Sequence, residues 1–161
     1  MPMLIPIPKL RSYRPSDLTA MVALDRMCFP KEFCFEIDSM RRFAEEGKAV
    51  AVVAEELDGE LAGFVIAEVQ TARGVSHGYC VTLDVAEEYR RQGLGGRLLH
   101  EAERRCSELG AMWMDLHVYA GNSKAVAFYE RRGYQRRGVR LGFYGKAGMD
   151  AFEYRRVFSG E

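Results

Sequence analysis

The sequence predicts a mixed α/β domain in which strands and helices alternate along one chain of 161 residues. Three observations predict it. Two β-rich runs, 49–55 and 61–69, flank Asp58-Gly59, a dipeptide that strongly favours a tight hairpin. A third run, 75–85, alternates its side chains as a strand does. A glycine-rich turn then leads into a long amphipathic helix.

Each element has its own justification. Ile5 to Tyr13 reads as a first strand, at an edge or an entry to the sheet because of its prolines. Pro15-Ser16-Asp17 opens a helix in which Leu18, Met21, Val22 and Cys28 recur at helical spacing, and Pro30 ends it. Glu36 to Glu46 reads as a second helix with Ile37, Met40 and Phe43 as its apolar stripe, closed by Gly47. In run 75–85 the odd positions Tyr79, Val81, Leu83 and Val85 are expected on one face. Gly95 to Leu109 is the clearest helix. Leu98, Leu99, Ala102, Cys106 and Leu109 form its buried stripe, and Arg97, Glu101, Arg105 and Glu108 a solvated face with opposite charges four apart.

Gly110 stops that helix, and 111–118 reads as a strand with Trp113, Asp115 and His117 on one face. Met112 and Met114 alternate with them and read as core. Asn122 caps a helix running to Arg132, which Gly133 ends. Tyr134 to Gly142 and Ala151 to Phe158 close the chain as strands. With no repeat, low-complexity segment or linker, residues 1–161 read as a single domain.

Composition narrows the function. Hydrophobic residues make up 48% and charged residues 29%, the profile of a globular protein with a real core. A net charge of +0 gives no basic excess for nucleic acid. Cys28, Cys34, Cys80 and Cys106 form no CxxC pair, and only three histidines are present to join them. Neither a metal site nor a disulfide framework is indicated, and reduced thiols fit a cytoplasmic protein. The amino terminus is apolar but broken by Pro2, Pro6 and Pro8, unlike a signal peptide. No stretch reaches the roughly 20 apolar residues that cross a bilayer, so no membrane partner is expected. His77 and His100 read as surface residues.

The segment Arg90-Arg91-Gln92-Gly93-Leu94-Gly95-Gly96-Arg97 lies between a strand and the strong helix. Glycines allow a tight turn and close approach to a ligand, and the free N–H groups of a helix start favour an anion. A Walker loop would need Gly-Lys followed by Ser or Thr; a dinucleotide fingerprint would need Gly where Leu98 stands. On glycine count alone a flexible strand–helix turn remains an alternative. The two arginines and the helix that follows favour the anion site.

Leu83-Asp84-Val85 followed by Tyr89-Arg90-Arg91-Gln92-Gly93-Leu94-Gly95 resembles the acetyl-CoA signature of the GCN5-related N-acetyltransferase (GNAT) superfamily: Arg or Gln, two residues, Gly, one residue, then Gly or Ala. Asn122-Ser123-Lys124-Ala125-Val126-Ala127-Phe128-Tyr129, continuing through Gly133-Tyr134, resembles that family's second block. The resemblance covers about residues 10–158. It implies a twisted mixed sheet of six or seven strands with helices on both faces, and two parallel strands that splay to admit the cofactor's pantetheine arm. It also implies that Leu83, Asp84 and Val85 line that arm through their backbone. Arg90, Arg91, Gln92, Gly93, Leu94, Gly95, Gly96 and Arg97 would hold the pyrophosphate, with Asn122, Ala125 and Phe128 across from them.

Amine attack on a thioester needs a neutral amine and a proton for the departing thiolate. A lysine amine with a pKa of about 10.4 is rarely neutral at pH 7, whereas a chain-terminal amine at about 7.7 to 8.0 is neutral in roughly one molecule in ten. The strand 75–85 carries no glutamate to serve as a strong base. Tyr79, in Tyr79-Cys80-Val81-Thr82-Leu83, together with His117, in Leu116-His117-Val118, resembles the eukaryotic N-terminal acetyltransferases of Met-starting chains, where such a pair orders a water for proton removal. Bacterial ribosomal-protein alanine acetyltransferases carry Glu at the His117 position. Tyr129 resembles the family's helix tyrosine that protonates the CoA thiolate. Phe29, Pro30 and Lys31 resemble a substrate segment between the first two helices, and Phe143 and Tyr144 an aromatic loop over the peptide backbone.

The resemblance therefore implies an acetyl-CoA-dependent N-acetyltransferase that uses no metal and acts on a protein or peptide N terminus, ribosome-associated chains among the candidates. Acetylation of a small-molecule amine, or acyl-CoA binding without catalysis, are the alternatives.

Overall fold

Seven strands build one sheet in the order β1-β2-β3-β4-β5-β7-β6. The computed structural model describes residues 7–145 and 148–159. Strands β1 (Lys9–Ser12), β2 (Ala49–Glu55), β3 (Leu61–Ala72) and β4 (Val75–Val85) form an antiparallel meander. The β2–β3 turn holds Gly59 at φ 89, as the Asp58-Gly59 signal predicted. β5 (Ala111–Tyr119) lies parallel to β4, with β7 (Ala151–Val157) and β6 (Gln135–Arg140) antiparallel beyond it. A parallel step needs a crossover, and α3 (Leu94–Glu108) supplies it.

The expected strand count and the helices on both faces are present. Alternation along β2 and β3 feeds two cores. Val52 and Val65 face α3 with Leu98, Leu99, Ala102 and Cys106. Val53, Phe64 and Ile66 face α1 (Leu18–Cys28) and α2 (Ile37–Glu45), packing against Met21, Val22 and Met40. Each fully buried aliphatic side chain contributes about 1.5–3 kcal/mol over exposure. α4 (Ser123–Arg131) flanks the first of these cores through Ala125, Val126 and Phe128.

Several expectations shift. The first strand is shorter than predicted, and positions 5 and 6 of its predicted span lie outside the described residues. Pro15–Asp17 forms a 3-10 turn before α1 rather than its first turn. Ile37 is exposed because it opens α2, and Ala44 takes its place in the buried stripe. Leu109 caps α3 beyond its last turn and is likewise exposed. Met112 points to solvent near the start of β5, while Met114, two residues on, is fully buried.

The largest correction concerns β4. Its register against β3 runs from Ile66–Thr82 to Ala67–Cys80, so Val81 is an extra residue, a β-bulge. Alternation inverts there. Val81 packs on the α1–α2 side, whereas Leu83 and Val85 pack on the α3 side. The four odd positions therefore do not share a face.

A buried carboxylate secures the far edge. Glu103 on α3 accepts the Tyr134 hydroxyl at 2.6 Å and the Arg156 guanidinium at 2.8 Å, tying the helix to the strands that follow it. Next to the cleft, β3 passes so close to the end of β4 that a Cβ on Gly63 would lie 2.7 Å from the Asp84 carbonyl oxygen. Backbone cannot yield as a side chain does. Gly63→Ala should cost about 1–3 kcal/mol of stability, read as a lower urea midpoint with an unchanged slope.

Candidate active site

Parallel pairing of β4 and β5 is recorded only to Cys80–Leu116, although the strands run on to Val85 and Tyr119. The resulting gap is the splay that the resemblance implied. At the end of β4 the chain makes a 3-10 turn, Glu87–Tyr89, and then a tight turn with Arg91 at φ 64 and Gly93 at φ 81. The left-handed value at Gly93 suits a residue without a Cβ.

α3 begins at Leu94, and its first backbone bond is donated by Arg97 N–H to the Gly93 carbonyl. The N–H groups of Leu94, Gly95 and Gly96 therefore have no acceptor within the helix. α4 closes over them: a Cβ on Gly95 would lie 3.3 Å from the Phe128 ring, and one on Gly96 2.7 Å from the Arg132 guanidinium. This donor set, open in front and backed by a cation, fits the pyrophosphate of acetyl-CoA.

Some predicted cofactor residues take other tasks. Arg97 N–H is spent on Gly93, and its guanidinium donates to the Pro8 carbonyl at 3.1 Å. Arg90 Nε donates to the Val85 carbonyl at 3.0 Å, and Gln92 Nε2 to the Glu88 carbonyl at 2.9 Å. The Leu94 side chain is core. Asn122 caps α4 by accepting the Ala125 N–H at 3.1 Å. The Asp84 carboxyl faces α1 and Asp25.

Tyr79 and His117 do meet. The Tyr79 hydroxyl lies 2.8 Å from His117 Nδ1. His117 Nε2 faces Glu153 Oε2 of β7 at 3.5 Å, and Arg140 approaches the same carboxylate at 3.7 Å. A proton on Nε2 toward Glu153 leaves Nδ1 to accept from Tyr79, which assigns the tautomer from its partners. Burial lowers the His117 pKa below the ordinary value against the pull of Glu153, so the ring is neutral at pH 7. Burial raises Tyr79, and Tyr129 on α4, so both stay protonated.

An aromatic rim stands above the pair. Phe143 stacks on His117 with ring centroids 4.3 Å apart. Tyr144 meets Phe33 edge-on at 4.7 Å, and Phe33 lies 5.0 Å from Tyr119. The rim thus joins the loop between β6 and β7 to the loop between α1 and α2. In the latter loop Phe33 makes the ring contacts across the cleft; Phe29 is half-buried, and Pro30 and Lys31 are exposed. Asp115 is occupied: Arg155 donates to it at 2.7 and 3.1 Å, and Trp113 Nε1 at 3.1 Å. Trp113 also stacks on His77 at 5.2 Å, so His77 is not the plain surface residue expected. His100 is exposed, as expected.

Sequence reasoning missed Phe33, Tyr119, Arg132 and Glu153. Continuing the β5 alternation from His117 would have reached Tyr119. Glu153 could be found only with the β7 register, which pairs it with His117.

The acetyltransferase (GNAT) family model matches residues 18–134. The chain belongs to that family. It is an N-acetyltransferase with acetyl-CoA as its donor. The catalytic subunit NAA10 of the Arabidopsis thaliana N-terminal acetyltransferase A complex is 28% identical over 147 residues, covering 90% of this chain and 75% of that protein. The ard1 catalytic subunit of the same complex in Schizosaccharomyces pombe is 29% identical over 154 residues, covering 93% and 85%. Among solved structures, Arabidopsis thaliana NAA60 in complex with acetyl-CoA superposes with a TM-score of 0.82 at 25% identity, covering 94% of this chain and 99% of that one.

If the loop holds the pyrophosphate of this GNAT enzyme's donor, Gly95→Asp should weaken acetyl-CoA binding. The new side chain meets the Phe128 ring and adds negative charge. The expected loss is at least about tenfold, or about 1.4 kcal/mol, read by calorimetric titration of the folded variant.

Proposed function

We propose that this enzyme acetylates the N-terminal α-amine of a protein or peptide by direct transfer from acetyl-CoA. Residues 1–161 act as one domain in this reading, in a cytoplasmic setting, with ribosome-associated chains among the acceptors. The observation that carries it is the neutral Tyr79–His117 pair beneath a rim of aromatic rings, with the neighbouring carboxylates Asp115 and Glu153 each paired to an arginine. A weak proton acceptor suffices for an amine that is already partly neutral, and not for a lysine. Relatives agree in kind: NAA60 of Arabidopsis thaliana and Naa20 of Chaetomium thermophilum, each 25% identical, were solved with bisubstrate analogues.

The transfer balances simply. The amine nitrogen bonds to the thioester carbonyl carbon, and the carbon–sulfur bond breaks with its electron pair on sulfur. The amine's proton leaves through a water to the Tyr79 oxygen, while the Tyr79 proton moves to His117 Nδ1. Tyr129, kept protonated by burial, supplies the proton to the thiolate.

A peptide with a free α-amine should be acetylated. The same peptide with a blocked terminus and a free lysine should react at least about tenfold more slowly, given the neutral fractions of the two amines. Equal rates would overturn the α-amine assignment, and turnover confined to small amines would move the enzyme to a different substrate class. CoA release is the readout.

Tyr79→Phe and His117→Ala should each lower turnover by about 10² to 10⁴ with acetyl-CoA affinity nearly intact. The double mutant should lose less than the product, because both residues serve one route. In a plot of turnover against pH, protonation of His117 removes the acceptor for Tyr79, giving an acid limb below the ordinary histidine range. Glu153→Gln removes the group that raises the His117 pKa, so that limb should move to lower pH. An unmoved limb would show that His117 is not its source.

A further inference from the structure

Two buried carboxyls stand apart from this proton route. Asp25, near the end of α1, is 0% exposed, and Asp84, near the end of β4, is 1% exposed. The Val81 bulge turns Asp84 toward α1, where its carboxyl meets that of Asp25. Asp25 Oδ2 also accepts the Phe35 N–H at 2.9 Å, and Asp84 Oδ1 accepts the Thr82 hydroxyl at 2.6 Å. Asp25 Oδ1 and Asp84 Oδ2 find no N–H or hydroxyl donor among the described residues. Two ionised carboxylates cannot remain in contact away from water, whereas one proton between them satisfies both oxygens.

The surroundings favour that proton. Burial and Asp25 hold Asp84 well above the ordinary carboxylate range, with Arg90 opposing weakly from the loop after β4. The other titratable groups facing the pair are Cys28, raised to about 11 by burial, and Cys34, also raised by burial, with Arg26 and Glu32 further out. None brings a cation into contact with the pair.

Asp25 is also the root of the loop between α1 and α2. Its carbonyl accepts the Phe29 N–H at 3.1 Å, and its carboxyl accepts the Phe35 N–H at 2.9 Å. Both ends of the loop thus hang on one residue. Midway along it, Phe33 reaches Tyr144. Beside Asp25, the Cys28 thiol donates to the Val85 carbonyl at 3.4 Å, a second tie between α1 and β4.

We propose that Asp25 and Asp84 are positioning residues: one shared proton clamps the α1–α2 loop to the end of β4, fixing the acceptor slot at a set distance from the acetyl-CoA strand. The proposal rests on the peptide reading above, which gives the loop its acceptor. Loss of the shared proton at alkaline pH sets two negative charges against each other and loosens the loop. Peptide affinity then falls. Acetyl-CoA affinity stays, because the α3 turn holds the donor.

Asp25→Asn keeps an acceptor for Phe35 and offers Asp84 an N–H that no alkaline titration removes. Asp25→Ala deletes both links. The wild-type peptide KM should rise as the pH is taken into the alkaline range, and the Asp25→Asn KM should stay flat over the same range. Asp25→Ala should raise peptide KM about tenfold at pH 7 with acetyl-CoA affinity within about twofold. Protection of the Phe35 amide against hydrogen exchange reads the clamp without any substrate: it should be lost in Asp25→Ala and kept in Asp25→Asn.

The clamp is overturned if folded Asp25→Ala keeps wild-type Phe35 protection, or if wild type and Asp25→Asn share one KM–pH profile. Should the wild type acetylate no peptide at its α-amine, the peptide reading fails. The exchange comparison then still decides whether the pair holds the loop.

Discussion

Val81 is one residue more than β3 can pair, and much of the site depends on where that surplus falls. Before it, Tyr79 looks onto the open face beside His117, and Cys80 is buried on the α3 side. After it, Leu83 and Val85 turn into the α3 core, and Asp84 turns to α1. A strictly alternating strand could not serve both faces in this sequence order. Bulges also sharpen strand twist, and the recorded parallel pairing with β5 ends beside this one, at Cys80–Leu116. One strand thus carries a hydroxyl beside His117 and, a few residues on, a carboxyl turned to α1.

The cleft is close to charge-neutral by arrangement. Asp115 is matched by Arg155, and Glu153 is approached by Arg140 and His117. His117 is uncharged, and the tyrosines keep their protons. Burial of each group disfavours its ionised form, so the site offers a hydrogen-bonded path rather than a strong base. At the start of α3 the character changes, with unpaired helix N–H groups and the Arg132 guanidinium beside Gly96.

Much of this was legible in the sequence because it depends on local pattern. The Asp58-Gly59 hairpin, the α3 stripe from Leu98 to Cys106 and the Asn122 cap each rest on residues within one or two turns of each other. So does the glycine turn that opens α3. Val81 was not legible: a β-branched residue in an apolar run fits an uninterrupted strand, and only pairing with β3 exposes the surplus. Phe33 and Tyr144 lie in separate loops more than a hundred positions apart, and no spacing rule links them. Arg132 read as a helix end and acquires its place beside the phosphate turn only when α4 packs on α3. Ile37, Leu109 and Met112 show the opposite error, where an apolar residue in register sits at an element's end and nothing covers it.

The chain has a single tryptophan, Trp113. Its indole lies flat on His77, under the Arg155 guanidinium, and donates to Asp115, two residues from His117. An indole so enclosed responds optically to the charge and polarity of its neighbours. The molecule therefore carries its own fluorophore on the strand that bears His117. Intrinsic emission can follow changes around β5 without an attached dye, and no second tryptophan elsewhere in the sequence contributes background.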